Sequence, residues 1–295
     1  MDWDDLRVFL AVAREESLSA AGRRIKMDAA TVGRRISRLE DAMEVRLFAR
    51  SAQGYTLTES GLRLLPHAES AELAALGAAS AAHAPDEGLT GLIRLGAPDG
   101  CANFLLPQVI AKICDNNPGL EVQLVALPRV FNLSKREADM AIAVSRPEAG
   151  RLTVQKLVDY RLILAASKQW LAANGPIDRL EDLQSRRFVN YIPDLIFDKE
   201  LDYLAEIGGP KVVMSSNSAS VQLHFLRHGA GIGLVHDFAM PAAPELEHIL
   251  PHFQLTRAFW LIRHADDGRV ERLNRFAKLL VQECRLAMGP SESIS

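Results

Sequence analysis

Residues 17–58 read S-L-S-A-A-G-R-R-I-K-M-D-A-A-T-V-G-R-R-I-S-R-L-E-D-A-M-E-V-R-L-F-A-R-S-A-Q-G-Y-T-L-T. Within this stretch Val32, Ile36, Leu39 and Met43 recur at intervals of four, three and four residues. At about 100° per residue they fall in one narrow stripe of a helix, and such a stripe is buried. The opposite side carries Ala30, Thr31, Arg34, Ser37 and Arg38, with Arg35 on the flank. Small residues near the helix start let a backbone approach base edges, and a guanidinium fork matches guanine O6 and N7 or a phosphate. The face therefore suits the major groove of double-stranded DNA. Asp28 stands at the N-cap position, where a carboxylate accepts the unpaired N–H groups of the first turn. An acid there also faces the groove.

Upstream, a helix is predicted over Ala20–Ile25, with Ser17 or Ser19 as its cap, and Lys26-Met27 leave room only for a sharp turn. Two helices so joined make a helix-turn-helix. Leu6, Phe9, Leu10 and Ala13 form the stripe of a third helix that closes a small core. Downstream, Leu47-Phe48-Ala49-Arg50 and Tyr55-Thr56-Leu57 are short apolar runs separated by Ser51, Ala52, Gln53 and Gly54, which predicts a hairpin wing with Arg50 at its base. The candidate DNA contacts are Ser19, Asp28, Ala29, Ala30, Thr31, Arg34, Arg35, Arg38, Arg50 and Gln53. Each feature alone is common; cap, stripe, turn, basic face and wing in the required order carry the reading.

The whole chain has 295 residues, 48% hydrophobic and 24% charged, enough for two or three domains with real cores. Its net charge of −3 excludes a protein coated in basic surface, yet Arg23, Arg24, Lys26, Arg34, Arg35, Arg38, Arg46 and Arg50 crowd one short segment. Local charge attracts phosphates, whatever the total. The start, Met1-Asp2-Trp3-Asp4-Asp5, is acidic where a secretion signal is basic, and no apolar run approaches the roughly 20 residues a membrane helix needs. A cytoplasmic protein with no membrane partner is expected. Cys101, Cys114 and Cys284 are too scattered for a disulfide framework or zinc cluster, so buried thiols are the default. Cys101 stands apart, because a helix start after Asp99-Gly100 would stabilise its thiolate.

Thr58–His83 is dense in Ala and Leu and reads as one long helix with Leu62, Leu65, Leu73 and Leu76 near one side. Pro66 is expected to kink it near Leu62–Leu65. Ala84-Pro85-Asp86-Glu87-Gly88 breaks it, and an interdomain hinge is placed over 84–90. From Leu89 onward β-prone runs alternate with helices, which calls for parallel sheets covered on both faces. The strands are expected at Leu92–Ala97, Leu120–Leu127, Ala138–Val144, Leu162–Ala166, Phe188–Tyr191, Lys211–Met214, Gly231–Val235 and Ala258–Arg263. The helices are expected at Ala102–Asn116, Lys168–Ala173, near Phe197–Ile207, Ser218–His228 and Val270–Leu286.

L-R-V-F-L-A-V-A-R-E-E-S-L-S-A-A (Leu6–Ala21), T-V-G-R-R-I-S-R-L-E (Thr31–Glu40), L-F-A-R (Leu47–Arg50) and L-T-E-S-G (Leu57–Gly61) together resemble the LysR-type transcriptional regulators. Leu105-Leu106-Pro107, Glu137–Ile142 and His228–Leu234 match that family's weaker C-terminal markers. The resemblance implies a fold of class α/β with an N-terminal winged helix-turn-helix (1–58), a long linker and dimerisation helix (59–83) and a C-terminal effector domain (91–295). That domain is expected to hold two α/β subdomains, about 91–162 with 264–290 and 163–263, joined by crossing strands and similar to periplasmic solute-binding proteins. It implies a sequence-specific transcription factor on promoter DNA, responsive to a small-molecule effector and working as a homodimer or a homotetramer built as a dimer of dimers. The family usually has Ser-Gln-Pro where this chain has Asp28-Ala29-Ala30, and Ser where it has Gly33. Direct readout is therefore expected to lean on Thr31, Arg34, Arg35, Arg38 and the wing. Peroxide-sensing relatives carry a cysteine pair in the second effector subdomain, where this chain has none.

In open α/β sheets ligands bind beyond the carboxyl ends of strands, where helix N-termini point amides into a crevice. Pro98–Asn103, Pro128–Leu133 and Ser215–Ser218 are such loops, and the expected effector site comprises Asp99, Gly100, Cys101, Ala102, Arg129, Asn217 and Ser218. Family members often place a hydroxyl at Asp99-Gly100-Cys101 to hold an effector carboxylate; an Asp there allows an amine or amino acid. Catalytic signals are poor. Gly229-Ala230-Gly231-Ile232-Gly233 precedes a strand and is a turn rather than a nucleotide loop. His224 and His228 are spaced for one helix face but lack a third metal ligand, and Pro251 spoils the spacing of His248 and His252. No catalytic residue, metal or cofactor is expected. The rival reading is a solute-binding or catalytic α/β domain whose N-terminal helices mediate assembly.

Overall fold

Asp2 caps the first helix, α1 (Trp3–Glu15), by accepting the Asp4 N–H at 3.1 Å, and Glu16 ends it in the left-handed region at φ 53°. The structure, a computed structural model, describes residues 2–51, 54–81, 88–126, 138–148, 150–265, 267 and 270–289. Packing divides the chain into two units, Met1–Ala84 with Asp266–Glu271 and Pro85–Ala265 with Arg272–Ser295.

In the first unit α2 (Leu18–Ile25) is capped by Ser17, which settles the choice between the two serines; Ser19 lies inside the helix and is exposed. Gly22, inside α2, makes room for the turn that follows, since a Cβ there would sit 2.5 Å from the Met27 carbonyl oxygen. The next helix, α3 (Ala29–Met43), buries Val32, Ile36 and Leu39 completely, with Met43 partly buried at the end of the same stripe. They pack with Leu6, Phe9 and Leu10 of α1, and each such side chain contributes roughly 1.5–3 kcal/mol of burial.

The wing strands β1 (Phe48–Ser51) and β2 (Gly54–Leu57) pair antiparallel, Phe48 opposite Leu57. Phe48 fixes the wing to the core, with its ring 5.4 Å from Phe9 and edge-on to Tyr55 at 6.0 Å. Helix α4 (Glu59–Ala81) runs without interruption past Pro66. Leu64 and Leu65 pack on the core, Ala68 is buried and Leu62 is exposed; the side chains of Leu73 and Leu76 lie outside the described set. Arg14 clamps α1 to α4 through both carboxylate oxygens of Glu72, at 3.1 and 2.8 Å.

The second unit is built on one continuous sheet. Its strands are β3 (Gly91–Ala97), β4 (Leu120–Ala126), β5 (Met140–Ala143), β6 (Leu152–Ser167), β7 (Phe188–Asn190), β8 (Val212–Ser215), β9 (Ile232–His236), β10 (Leu246–His248) and β11 (Gln254–His264). The order is β4-β3-β5-β11-β6-β9-β7-β8, with β10 beside β6. The triplets β4-β3-β5 and β9-β7-β8 are parallel, as the strand–helix alternation requires. The long antiparallel pair β6 and β11 lies between the two triplets and joins them, β11 beside β5 and β6 beside β9, with an irregularity at Phe259/Trp260, and these are the crossing strands that the family resemblance implies.

Three expectations need correction. The helix expected over Ala102–Asn116 is two, α5 (Asp99–Phe104) and α6 (Leu106–Asp115), because Pro107 has no N–H to donate back to Asn103 and stands in the first turn of the second helix, where none is needed. The segment Phe197–Ile207 forms short 3-10 turns, Lys199–Leu201 and Leu204–Ile207, rather than an α-helix. Asp198 caps the first turn by accepting the Glu200 N–H, and Gly208, at φ 78°, ends the second. Strand β6 begins ten residues before Leu162; its first half alternates at its start and contains Lys156 and Asp159, so it lacks the unbroken apolar run of the second. Helices α7 (Lys168–Asn174), α8 (Ala219–Arg227) and α9 (Glu271–Met288) complete the unit, α9 covering the sheet with Leu273, Phe276, Leu280 and Cys284.

Candidate functional site

The cap of α3 decides the first turn of the basic face. Asp28 accepts the Thr31 N–H at 2.8 Å and the Thr31 hydroxyl at 2.7 Å, so both its oxygens are engaged. The Thr31 side chain, then its N–H, holds the Asp28 carboxyl below its ordinary pKa. Thr31 Oγ1 in turn accepts from Arg34 Nη2 at 2.9 Å, orienting that guanidinium along the exposed side of the helix. Asp28→Ala is expected to lower the melting temperature of this unit, and Asp28→Asn to lower it by much less; equal losses in thermal melts would contradict the capping role.

Between α3 and the wing lies a concavity of about 510 Å³ whose walls include Ala29, Ala30, Arg34, Ser37, Arg38 and Arg50. Five of the ten residues named from sequence thus share one surface. Leu18, Gly33 and Tyr55 complete it: a Cβ at Gly33 would meet Leu18 Cδ1 at 3.3 Å, and the Arg50 guanidinium stands 5.6 Å over the Tyr55 ring. Asp41 adds one acid to the rim. Ser19 is exposed on α2 and is not part of this wall, while Gln53 lies outside the described residues.

Arg35 and Arg38 are engaged with helix α1. Arg38 presents its fork to Asp5, with Nε at 2.8 Å and Nη2 on the other oxygen, and Arg35 bonds Asp4. Asp5 is buried, and its hydrogen bonds raise the Arg38 pKa further. The Arg38 side chain remains 57% exposed, whereas that of Arg35 is 27% exposed. Sequence reasoning missed these acids, as it missed Glu40. Glu40 is buried, and its Oε1 accepts the N–H groups of Leu47 at 2.8 Å and Phe48 at 3.2 Å, while Oε2 takes Arg46 at 2.7 Å. Burial acts to raise its pKa, but the Arg46 bond and the two N–H groups outweigh burial and hold it below the ordinary value.

In the second unit the ends of β3 and β8 bring α5 and α8 together. Asp99 Oδ2 accepts from Ser218 Oγ at 2.9 Å, Ser220 N at 2.9 Å and Ser220 Oγ at 3.0 Å, and Oδ1 accepts from Asn103 Nδ2 at 3.1 Å. Asp99, Gly100 and Asn217 line a cavity of about 10 Å³ with Tyr191, His236 and Phe259, room for about one water. A Cβ on Gly100 would stand 2.6 Å from His236 Cε1, so the glycine admits the ring. Burial lowers the His236 pKa to about 4, which leaves the imidazole neutral, and pushes the Tyr191 hydroxyl up. The hydroxyls of Tyr160 and Tyr203 are buried without a hydrogen-bond partner among the described residues.

Cys101 and Ala102 are buried behind this cavity, outside its lining, and Arg129 lies outside the described residues. The expectation of a stabilised thiolate is overturned: burial first, then Cys284, pushes the Cys101 thiol well up, and α5 is only six residues long. Ser220 and His236 were missed in the sequence; the hydroxyl run S-S-N-S-A-S at 215–220 was the available signal for the former. Among the described residues no helix is long and apolar enough to cross a membrane, and no group of three or more His, Cys, Asp or Glu could hold a metal.

Residues 3–62 match the model of the bacterial regulatory helix-turn-helix proteins of the LysR family, and residues 86–285 match that of the LysR substrate binding domain. The chain is 33% identical over 153 residues to the HTH-type transcriptional regulator DgdR of Burkholderia cepacia, a match spanning about half the length of either protein, 51% of each. It is 26% identical over 264 residues to the HTH-type transcriptional activator AaeR of Escherichia coli, covering 84% of this chain and 82% of that one. Among solved structures, a full-length OxyR variant from Pseudomonas aeruginosa superposes with TM-score 0.73 at 21% identity, over 97% of this chain and 95% of that one. CrgA, a LysR-type transcriptional regulator from Neisseria meningitidis, superposes with TM-score 0.59 at 23% identity, over 96% and 99%. At these identities the likeness is one of fold.

Proposed function

We propose that this chain, which belongs to the LysR family of transcriptional regulators, binds promoter DNA sequence-specifically through α3 and the wing and responds to a small effector held in the second unit. The single observation that supports the DNA reading most is the concavity walled by Ala29, Ala30, Arg34 and Arg50. Its small residues admit the edge of a base pair, and its three guanidinium groups, Arg34, Arg38 and Arg50, suit base and phosphate contact. In this reading Thr31, Arg34 and Arg38 face the major groove, Arg50 meets the backbone beside it, and Arg35 braces α3 against α1. A homodimer, paired further as a tetramer, places two such helices on an interrupted inverted repeat. The protein works in the cytoplasm, as regulation rather than catalysis.

The effector reading is supported by the meeting of α5 and α8 at the ends of β3 and β8, beside a cavity of about 10 Å³. Buried hydroxyls without partners cost about 1–3 kcal/mol each, so a polar effector reaching Tyr160 and Tyr203 would favour a rearranged, occupied cleft. Effector binding then shifts the relative orientation of the recognition helices within the oligomer. The test is fluorescence anisotropy with labelled DNA from the region upstream of the gene. Arg34→Ala is expected to weaken the specific complex by roughly 1–3 kcal/mol, about 5- to 150-fold. Unchanged affinity would remove α3 as the reading element.

A further inference from the structure

The second unit already contains an anion where a helix would hold one. Helix α8 spans nine residues, and Ser218 caps it by accepting the Val221 N–H at 3.2 Å. The N–H of Ser220, in its first turn, points at Asp99 Oδ2, and the hydroxyls of Ser218 and Ser220 donate to the same oxygen. A helix N-terminus with converging N–H and O–H groups is the ordinary seat of a carboxylate or phosphate. Here the carboxylate comes from α5, which belongs with β3 to the other half of the sheet. The adjoining cavity has room for about one water, and His236 is pressed against Gly100, so the seat has no space for a second anion.

We propose that Asp99 is an internal substitute for an anionic effector: it fills the seat at the start of α8, ties the two halves of the unit together, and restricts the effector to a neutral hydrogen-bonding molecule. The proposal rests on the effector-binding reading above and names its ligand class. A tethered carboxylate acts at an effective concentration of at least millimolar order, so a free carboxylate at lower concentration does not compete. An amine does not pair with Asp99 either, because its two oxygens already accept four hydrogen bonds.

Hydrogen exchange of the full chain, with acetate and benzoate as probes, tests this without DNA. In the wild type, the Ser220–Gln222 amides are expected to exchange slowly, and 5 mM of either anion (about the millimolar range in question) to leave exchange and melting temperature unchanged. In Asp99→Ala these amides are expected to exchange roughly tenfold faster or more, and acetate to slow them again. Asp99→Asn, which keeps the shape and loses the charge, is expected to lie between and serves if the alanine variant does not fold. Equal exchange in wild type and Asp99→Asn, or wild-type protection by acetate matching that in Asp99→Ala, would overturn the proposal. Because the readout is confined to α8, its failure is distinct from a failure of effector-dependent regulation, which anisotropy on promoter DNA reports.

Discussion

DNA affinity is expected to fall on the order of 10³- to 10⁵-fold as salt rises from about 50 to about 200 mM. Arg23, Lys26, Arg34 and Arg50 are exposed and form no ion pair among the described residues. Arg24 is held by Glu15 at 2.7 Å, and Arg35 and Arg38 by the acids of α1. About four cations per winged domain, eight in a dimer, give a slope of log affinity against log salt of roughly −7. The net charge of −3 offers no general attraction to a polyanion, so the effect must come from this patch. Anisotropy titrations at four salt concentrations measure it. A slope shallower than about −2 would leave no room for phosphate contacts by both domains and would favour the rival reading, in which the N-terminal helices only mediate assembly.

The second large effect lies beneath the wing. Glu40→Ala removes the acceptor of two buried backbone N–H groups, and leaving such donors unsatisfied costs about 1–3 kcal/mol each. A loss of about 2–4 kcal/mol is expected for the N-terminal unit, read as a lower denaturation midpoint, with DNA affinity falling as Arg50 loses its platform. Glu40→Gln keeps an oxygen for both N–H groups and breaks only the pair with Arg46, whose side chain is 72% exposed; its loss is expected to stay within about 1 kcal/mol. The same geometry sets a pH dependence. The folded Glu40 pKa is depressed, so its contribution is fully present above the ordinary glutamate value and is lost as pH falls through the folded pKa. Wing stability is therefore expected to decline on acidification below the ordinary glutamate range in the wild type and to lose that component in Glu40→Gln. Matching pH profiles for the two proteins would contradict this account.

Some of this was open to a reader of the sequence and some was not. The stripe Val32, Ile36, Leu39 with Met43 at its edge, the Asp28 cap and the wing strands follow from periodicities of 3.6 and 2 and from capping chemistry, all expressed within a few residues. The resemblance supplied the crossing strands, for which alternation alone offered only parallel sheets. The first half of β6 escaped because a strand exposed along part of its length has no continuous apolar run, and the 3-10 turns near Lys199 escaped because their buried residues imitate helical spacing.

What the chain determined locally is which face of α3 is apolar and which is basic. What only the tertiary structure decided is how the basic face is used. Arg35 and Arg38 look equivalent to Arg34 in the sequence, yet α1 packs Asp4 and Asp5 against the first two, about thirty positions away, and leaves Arg34 to its own Thr31. Asp99 reads in the sequence only as a candidate effector contact, and it is the fold that brings Ser218 and Ser220, 119 and 121 positions along, onto one of its oxygens. Hydrophobic periodicity is a property of neighbouring residues and survives in one dimension. The partner of a charge is set by which distant backbone the folded core brings within 3 Å, and no spacing along the chain encodes that.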